Sequence, residues 1–314
     1  MKKFEDKPEL SIIATVYNSA RIVVELLAQI KSAVDALNIP YEIILVDDGS
    51  RDDSAFIMEQ QSQSDLRVKS IILSRNFGQQ VAMSAGVHHA SGQFVVIMDG
   101  DLQNPSEAIP QLYQKAHEGY DIVYTSSPKK NDLYDSATSW LFWKFLKFVV
   151  RADVVESQLM MRIMTAEVAE YYRGYPEKIR TVAAITHDIG MNCTVICVEN
   201  QKRKQGKSNY NTLKRMNLAI DVILDFSNRP LNFVFYLGGL IFLLTIGATL
   251  YYLYSYLTQN TLPGFTSLAL LILLFGSINL ICIGVLARYV ANIYTEVKRR
   301  PLYFVRKSIN FPKK

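Results

Sequence analysis

The sequence predicts an α/β protein with a mainly parallel sheet covered on both faces, followed by two C-terminal transmembrane helices. Two observations carry this expectation. From Leu10 to Tyr124, short β-rich runs alternate with helical patterns, and the runs are nearly continuous in apolar residues. Strands buried on both faces of a parallel sheet read this way, whereas a half-solvated sheet would alternate. Farther on, the interval between Arg229 and Arg288 contains no Asp, Glu, Lys or Arg, and it holds two apolar runs, Asn232 to Tyr254 and Phe265 to Ala287. Each is long enough to cross about 30 Å of hydrocarbon at roughly 1.5 Å per helical residue.

Taken in order, the strands are expected at Leu10 to Val16, Tyr41 to Val46, Val68 to Leu73, Phe94 to Met98 and Ile122 to Tyr124. Helices begin near Ala20, Asp52, Gln79 and Asn104. In such a sheet, ligands sit beyond the carboxyl ends of the strands. The pattern then loosens. A helix from Ser136 to Arg151 carries Trp140, Lys144, Lys147 and Arg151 on one face, which suits either an interfacial helix or a cover for the sheet. Mixed structure runs to Val198, a basic loop from Glu199 to Tyr210, and an amphipathic segment from Asn211 to Asn228. The expected organisation is an α/β domain over 1–210, a juxtamembrane segment over 211–229, two spans with a short external link over 230–288, and a basic tail over 289–314.

Charge sets the expected orientation. Lys214, Arg215 and Arg229 precede the first apolar run, Arg288, Lys298, Arg299, Arg300, Arg306 and Lys307 follow the second, and the link Ser255 to Gly264 has no basic residue. The positive-inside bias then places both termini and the α/β domain in the cytoplasm, on a multi-pass protein of the cell (inner) membrane. The net charge of +5 is modest and gathers near the spans, which fits membrane lipids as partners and not nucleic acid. Cys193, Cys197 and Cys282 show no paired metal spacing, as expected of a reduced cytosolic domain. The segment Met1 to Leu10 is charged and has no apolar signal-peptide core. Asn279, inside the second run, could bond another helix and support a homo-oligomer, or simply lie against lipid headgroups or its partner span.

The chemistry-bearing residues fall where strands end. Asp99-Gly100-Asp101 follows the strand Phe94 to Met98. Two carboxylates at i and i+2 on a bend can approach one Mg²⁺ or Mn²⁺, which typically also bridges to substrate phosphates; solvated turn carboxylates have the same spacing. Asp47-Asp48-Gly49-Ser50 follows the second strand. Its carboxylates could accept hydrogen bonds from a ribose or base, or the segment could be a strand-to-helix turn with Ser50 or Asp52 as N-cap. Ser74 to Gln80 joins the third strand to a helix and offers Arg75, amide donors and a helix N-terminus, features that suit a pyrophosphate. The histidines, His88-His89, His117 and His187, read as packing or surface residues.

As an ordered set these segments carry a resemblance. Thr15-Val16-Tyr17-Asn18, Val46 to Ser50, Arg75 to Gln79 and Met98 to Pro105 resemble the GT-A core of the family-2 glycosyltransferases, a Rossmann-like nucleotide-binding half. Arg203 to Tyr210 resembles the Arg-x-x-Gly-x-Ser-x-Tyr segment of the polyprenyl-phosphate branch, which includes dolichyl-phosphate mannose synthases and bacterial bactoprenol glucosyltransferases. The resemblance covers 10–230. It implies transfer of one sugar, with inversion, from a nucleotide-diphosphate sugar to a polyprenyl (undecaprenyl) phosphate, for modification of a cell-surface glycan. It implies that Asp99, Asp101 and Gln103 hold the metal and the donor diphosphate. Thr15, Tyr17, Asp47, Asp48, Asn76 and Gln79 would contribute to the donor site, and Arg203, Lys207 and Ser208 would meet the acceptor phosphate. Asp101 and Arg203 would carry the catalysis.

Several positions depart from the family pattern. Thr15 stands where Pro is usual, Ser19 where Glu is usual, Lys129 and Lys130 where arginines are usual, and Met160 takes the place of an Asp before Met161-Arg162-Ile163-Met164. Two other readings stay open: a processive polysaccharide synthase, which would need further spans and a Gln-x-x-Arg-Trp motif, and a non-catalytic membrane scaffold that retains the fold. Labelled nucleotide sugars incubated with membranes, followed by lipid extraction, separate them.

Overall fold

The structure is a computed structural model. It describes residues 7–127, 158–175, 190–198, 264–298 and 300–312, together with scattered positions between 236 and 258. The expected helix 136–151, the basic loop with Arg203, Lys207 and Ser208, and the amphipathic segment 211–228 lie outside the described residues.

The elements run β1 (Leu10–Val16), α1 (Val23–Asp35), β2 (Tyr41–Asp47), α2 (Ser54–Ser64), β3 (Val68–Leu73), α3 (Gln79–His89), β4 (Phe94–Asp99), α4 (Ile109–His117) and β5 (Ile122–Ser126). Then come β6 (Gln158–Thr165), α5 (Ala166–Gly174), β7 (Cys193–Cys197), α6 (Phe265–Val297) and β8 (Val305–Ile309). Pro105 and Pro110 delay the fourth helix: a short 3₁₀ turn over Ser106–Ala108 comes first, with Pro110 in the opening turn of α4, where its missing N–H costs nothing.

The described strands form one sheet in the order β7-β5-β6-β4-β1-β2-β3-β8. The pairs β1–β2, β1–β4, β2–β3 and β5–β7 are parallel, while β6 and β8 run antiparallel to their neighbours. Every residue of β1 and β2 is buried, in keeping with their nearly continuous apolar runs. Alternate residues feed two cores. Ile12, Ala14, Ile43, Leu45, Val96 and Met98 pack with α1 and α4, while Ile13, Ile44, Val46, Val95 and Ile97 pack with α3 and α5.

The C-terminal residues differ from the expected free tail. β8 pairs antiparallel with β3, Lys307 bonds Glu59 at 2.6 Å, and Asn310 Nδ2 donates to the carbonyls of Ser62 and Val68. Arg306 and Lys307 occupy the outer edge strand, where exposed charge discourages pairing with another sheet.

The second apolar run is helical as expected, but α6 continues through Arg288 to Val297, with no Gly or Pro in its final residues to stop it. Among the described residues it is the one helix long and apolar enough to cross a membrane, over Ile278–Val297, and Leu280, Ile283, Leu286, Val290 and Ile293 are exposed along it. The first run is described only in part; Tyr236, Leu240, Leu243, Leu250 and Tyr254 are helical and exposed.

Candidate active site

Register brings the acidic segments together. In the parallel ladder Thr15 is level with Val46 on one side and Asp99 on the other, and Val16 with Asp47. The carboxyl ends of β1, β2 and β4 therefore stop at one height, and the loops that follow them converge. A cleft of about 300 Å³ opens there.

The loops are tied to one another more than to themselves. Asp48 N–H donates to Val16 O at 2.9 Å, and Gly100 N–H to Thr15 O at 3.1 Å. A Cβ on Gly100 would lie 2.3 Å from Thr15 O, so only glycine permits this approach. Gly49 has φ +69°, and a Cβ there would lie 2.3 Å from the carbonyl carbon of Arg75, which brings the second loop against the third. The first and second loops are joined by side chains: Asn18 N–H to Ser50 Oγ at 2.8 Å, Arg51 N–H to Asn18 Oδ1 at 2.9 Å and Ala20 N–H to Asp52 Oδ2 at 3.0 Å. The N-cap position of α2 falls on Asp53, without a side-chain capping bond, and not on either expected residue: Asp52 accepts from Ser54 N–H at 3.1 Å, and Ser50 Oγ serves the neighbouring loop.

Asp48 is 3% exposed, and its two oxygens accept the N–H groups of Phe77 at 2.7 Å and Gly78 at 3.0 Å. Burial pushes its carboxyl upward, and those two backbone bonds pull against it. Asp47, 1% exposed, is also pushed up by burial, against hydrogen bonds from Ser50, with repulsion from Asp48 and Asp52 adding to the rise.

Asp99 and Asp101 line the same cleft at the end of β4. Gln79 Nε2, at the first residue of α3, donates to Asp99 Oδ1, and Gln103 N–H donates to Asp101 Oδ1 at 3.1 Å. Between them Leu102 takes φ +62° with its side chain 2% exposed in the core. A bulky residue in the left-handed region is strained, and the buried side chain holds it there.

The cleft is lined by Thr15, Tyr17, Asp48, Asn76, Gln79, Asp99 and Asp101. All seven were expected in the site from sequence. Asp47 and Gln103, expected there too, do not line it: Asp47 closes the turn before Ser50, and Gln103 contributes its backbone to the Asp101 turn. Arg75 stacks on the ring of Phe77, its guanidinium carbon 4.3 Å from the centroid, and does not line the cleft either. Arg203, Lys207 and Ser208, expected at the acceptor phosphate, lie outside the described residues. Sequence reasoning missed Ser19, whose departure from the family pattern hid a residue that lines the cleft and donates its backbone N–H to Ser54 Oγ at 2.9 Å.

The donor set fits a hard divalent cation. Asp99 and Asp101 bring two carboxylates to one rim, and among the described residues no set of three or more His, Cys, Asp and Glu side chains surrounds a metal position. Mg²⁺ and Mn²⁺ need few protein ligands when a substrate diphosphate and water complete their shell.

The model of the family described as "Glycosyl transferase family 2" matches residues 11–166, from β1 to the end of β6. A glycosyltransferase of Synechocystis is 35% identical over 300 residues, 95% of this chain and 94% of that one. The undecaprenyl-phosphate 4-deoxy-4-formamido-L-arabinose transferase of Shewanella sediminis is 32% identical over 310 residues, 97% of this chain and 94% of its own. Among solved structures, mannosyl-3-phosphoglycerate synthase from Rubrobacter xylanophilus shares the fold, with TM-score 0.50 and 15% identity over 72% of this chain and 75% of that one. With this cleft at the carboxyl ends of a mainly parallel sheet, and with relatives matched along nearly its whole length, the chain belongs to glycosyl transferase family 2 and is a glycosyltransferase.

Proposed function

We propose that this glycosyltransferase moves one sugar from a nucleotide-diphosphate sugar to a polyprenyl phosphate at the cytoplasmic face of a membrane. The observation that carries the donor half is the gathering of Asp48, Gln79, Asp99 and Asp101 around one cleft. The acceptor half is supported by the Shewanella relative, whose name specifies an undecaprenyl-phosphate acceptor and whose match spans 97% of this chain. The exposed apolar surface of α6 supports membrane attachment, since contiguous exposed hydrophobic area of this kind needs lipid or a partner. Two spans with both termini cytoplasmic remain the reading of the charge pattern.

In this mechanism Asp48, oriented by the Phe77 and Gly78 N–H groups, accepts hydrogen bonds from the nucleoside, and Tyr17, 46% exposed, walls its pocket. Asp99 and Asp101 would hold Mg²⁺ or Mn²⁺, with Gln79 fixing the Asp99 carboxylate, and a cation held there would supply positive charge to offset that of the diphosphate leaving group. A phosphate oxygen of the acceptor attacks the anomeric carbon; the new C–O bond forms as the bond to the nucleoside diphosphate breaks, with inversion. The attacking phosphate monoester is already anionic near neutral pH, so no side-chain base is required, and Met160 at the position of the family acid is compatible with this. Arg203, Lys207 and Ser208 are assigned to the acceptor phosphate, where a guanidinium can bind two oxygens at once.

Full-length protein in membranes, given labelled nucleotide sugars and short-chain polyprenyl phosphates, should place label in the organic extract as a lipid-linked monosaccharide. A polymeric product would favour a processive synthase. Absence of transfer with every donor, from protein that still binds nucleoside diphosphate, would overturn the proposal.

A further inference from the structure

The sheet face that carries Asp99 also carries a positive charge that this mechanism does not use. Arg162 lies on β6 opposite Ile97 of β4 and Tyr124 of β5. Side chains alternate along strands, so Arg162 shares a face with Ile97 and Asp99, and with Met160 and Tyr124 in the core beneath α3 and α5. The residue is 1% exposed. Its guanidinium bends toward the cleft end of the strand: Nε donates to Met160 O at 3.0 Å and Nη2 to Leu159 O at 3.5 Å. Because β6 is antiparallel to β4, continuing the register from Ile97–Arg162 puts Met160 level with Asp99.

Among the described residues Nη1 has no hydrogen-bond partner. The guanidinium carbon sits 5.4 Å from the Tyr124 ring centroid. Burial lowers the Arg162 pKa, while Tyr124, Asp99 and Tyr172 act in the opposite direction. An incompletely bonded buried guanidinium is costly, and an apolar side chain of similar volume would suit this core better. Met160 sharpens the point: two residues earlier on the same face, where the family pattern has an acid, this chain offers only a thioether.

We propose that Arg162 is a positioning residue for the donor, a fixed buried positive charge acting across Asp99 that disfavours a lone divalent cation and favours the diphosphate arriving with it. The inference rests on the reading of Asp99 and Asp101 as the cation and diphosphate site. Two carboxylates alone balance a divalent cation; a diphosphate then makes the site strongly negative, and a buried guanidinium one rung below offsets that excess. A unit charge within several ångströms of a partly buried site changes an ion's affinity by about tenfold or more.

The test is binding, measured on purified full-length protein in detergent by calorimetry, with Mn²⁺ alone and with pyrophosphate in excess Mg²⁺ as probes. Arg162→Met should bind Mn²⁺ about tenfold more tightly and magnesium pyrophosphate about tenfold more weakly. Arg162→Gln, a second neutral variant, should show the same opposed shifts, and Arg162→Lys should stay near the wild type for both probes. Removing a buried charge should not lower the melting temperature. Unaltered binding, or joint weakening of both ions, would overturn the assignment, as would Arg162→Lys behaving like the neutral variants. If the wild type holds neither probe, the reading of Asp99 and Asp101 fails with it; if it holds both and the shifts are not opposed, only the Arg162 assignment fails.

Discussion

The two ends of the sheet treat their buried acids in opposite ways. At the end where the strands begin, Glu42 meets Lys69 Nζ at 2.5 Å and accepts hydrogen bonds from Ser11 Oγ, Ser91 N–H and Ser91 Oγ. Nearby, Asp65 is held by Lys31 at 2.8 Å and by Arg67 at 3.0 Å. Burial raises both carboxyls, but these partners outweigh it and leave each below its ordinary value. At the cleft end, Asp47 and Asp48 accept bonds from Ser50 and from the backbone of Phe77 and Gly78, and burial prevails, leaving both raised. The acids at the starting end are held by lysine and arginine, whereas Asp48, which lines the cleft, and Asp47, which does not, are held by hydroxyl and amide donors that leave burial the larger effect.

The largest break in that contrast should come from the cleft. Asp101→Asn removes charge without volume, so turnover should fall by about two to three orders of magnitude while the melting temperature stays within a few degrees. Steady-state transfer rates beside a thermal melt check this, and near-normal turnover would mean that the carboxylate belongs only to the turn.

At the other end the effect should be on stability alone. Glu42→Gln leaves Lys69, itself largely buried, without its ion partner and should cost about 1 to 3 kcal/mol, with turnover per folded molecule unaltered. The Glu42 carboxyl is lowered in the fold, so its contribution is present above the ordinary value of 4.5 and lost as pH falls through the folded value. The stability difference between wild type and variant should therefore shrink on acidification. Urea melts at pH 7 and below pH 4 measure it.

The smallest effect should have the opposite sign. Asp47 is raised in the fold, so its contribution is present below 3.8 and lost as pH rises through the folded value. Asp47→Asn should then be neutral or stabilising by up to about 1 kcal/mol at pH 7, with the gain vanishing in acid. Because Asp47 does not line the cleft, donor affinity should not move. A loss of donor affinity beyond about tenfold would return Asp47 to the site.

The contrast also explains what was legible in the sequence. The strands β1 to β5 were readable because burial on both faces makes them nearly continuous apolar runs, and the carboxylates that end β2 and β4 stand out against those runs. β6 was not: Gln158–Thr165 places Arg162 at a buried position between Met161 and Ile163, which matches neither an alternating nor a continuous pattern. β8 was hidden for the converse reason, since an edge strand carrying Arg306 and Lys307 has the composition of a tail. Gln103 and Asp47 were assigned to the site by motif membership, but a motif does not say which members turn their side chains to the ligand and which close the loop.

The central claim is that the cleft between Asp48 and Asp101 takes a nucleoside diphosphate together with a divalent cation. Calorimetric titration of the purified protein with UDP and with GDP, in Mn²⁺ and again in excess EDTA, tests it most directly. At least one nucleotide should bind in Mn²⁺, with affinity lost by about tenfold or more in EDTA and in the Asp101→Asn variant. Equal binding with and without the cation, or binding that survives Asp101→Asn unaltered, would contradict the account.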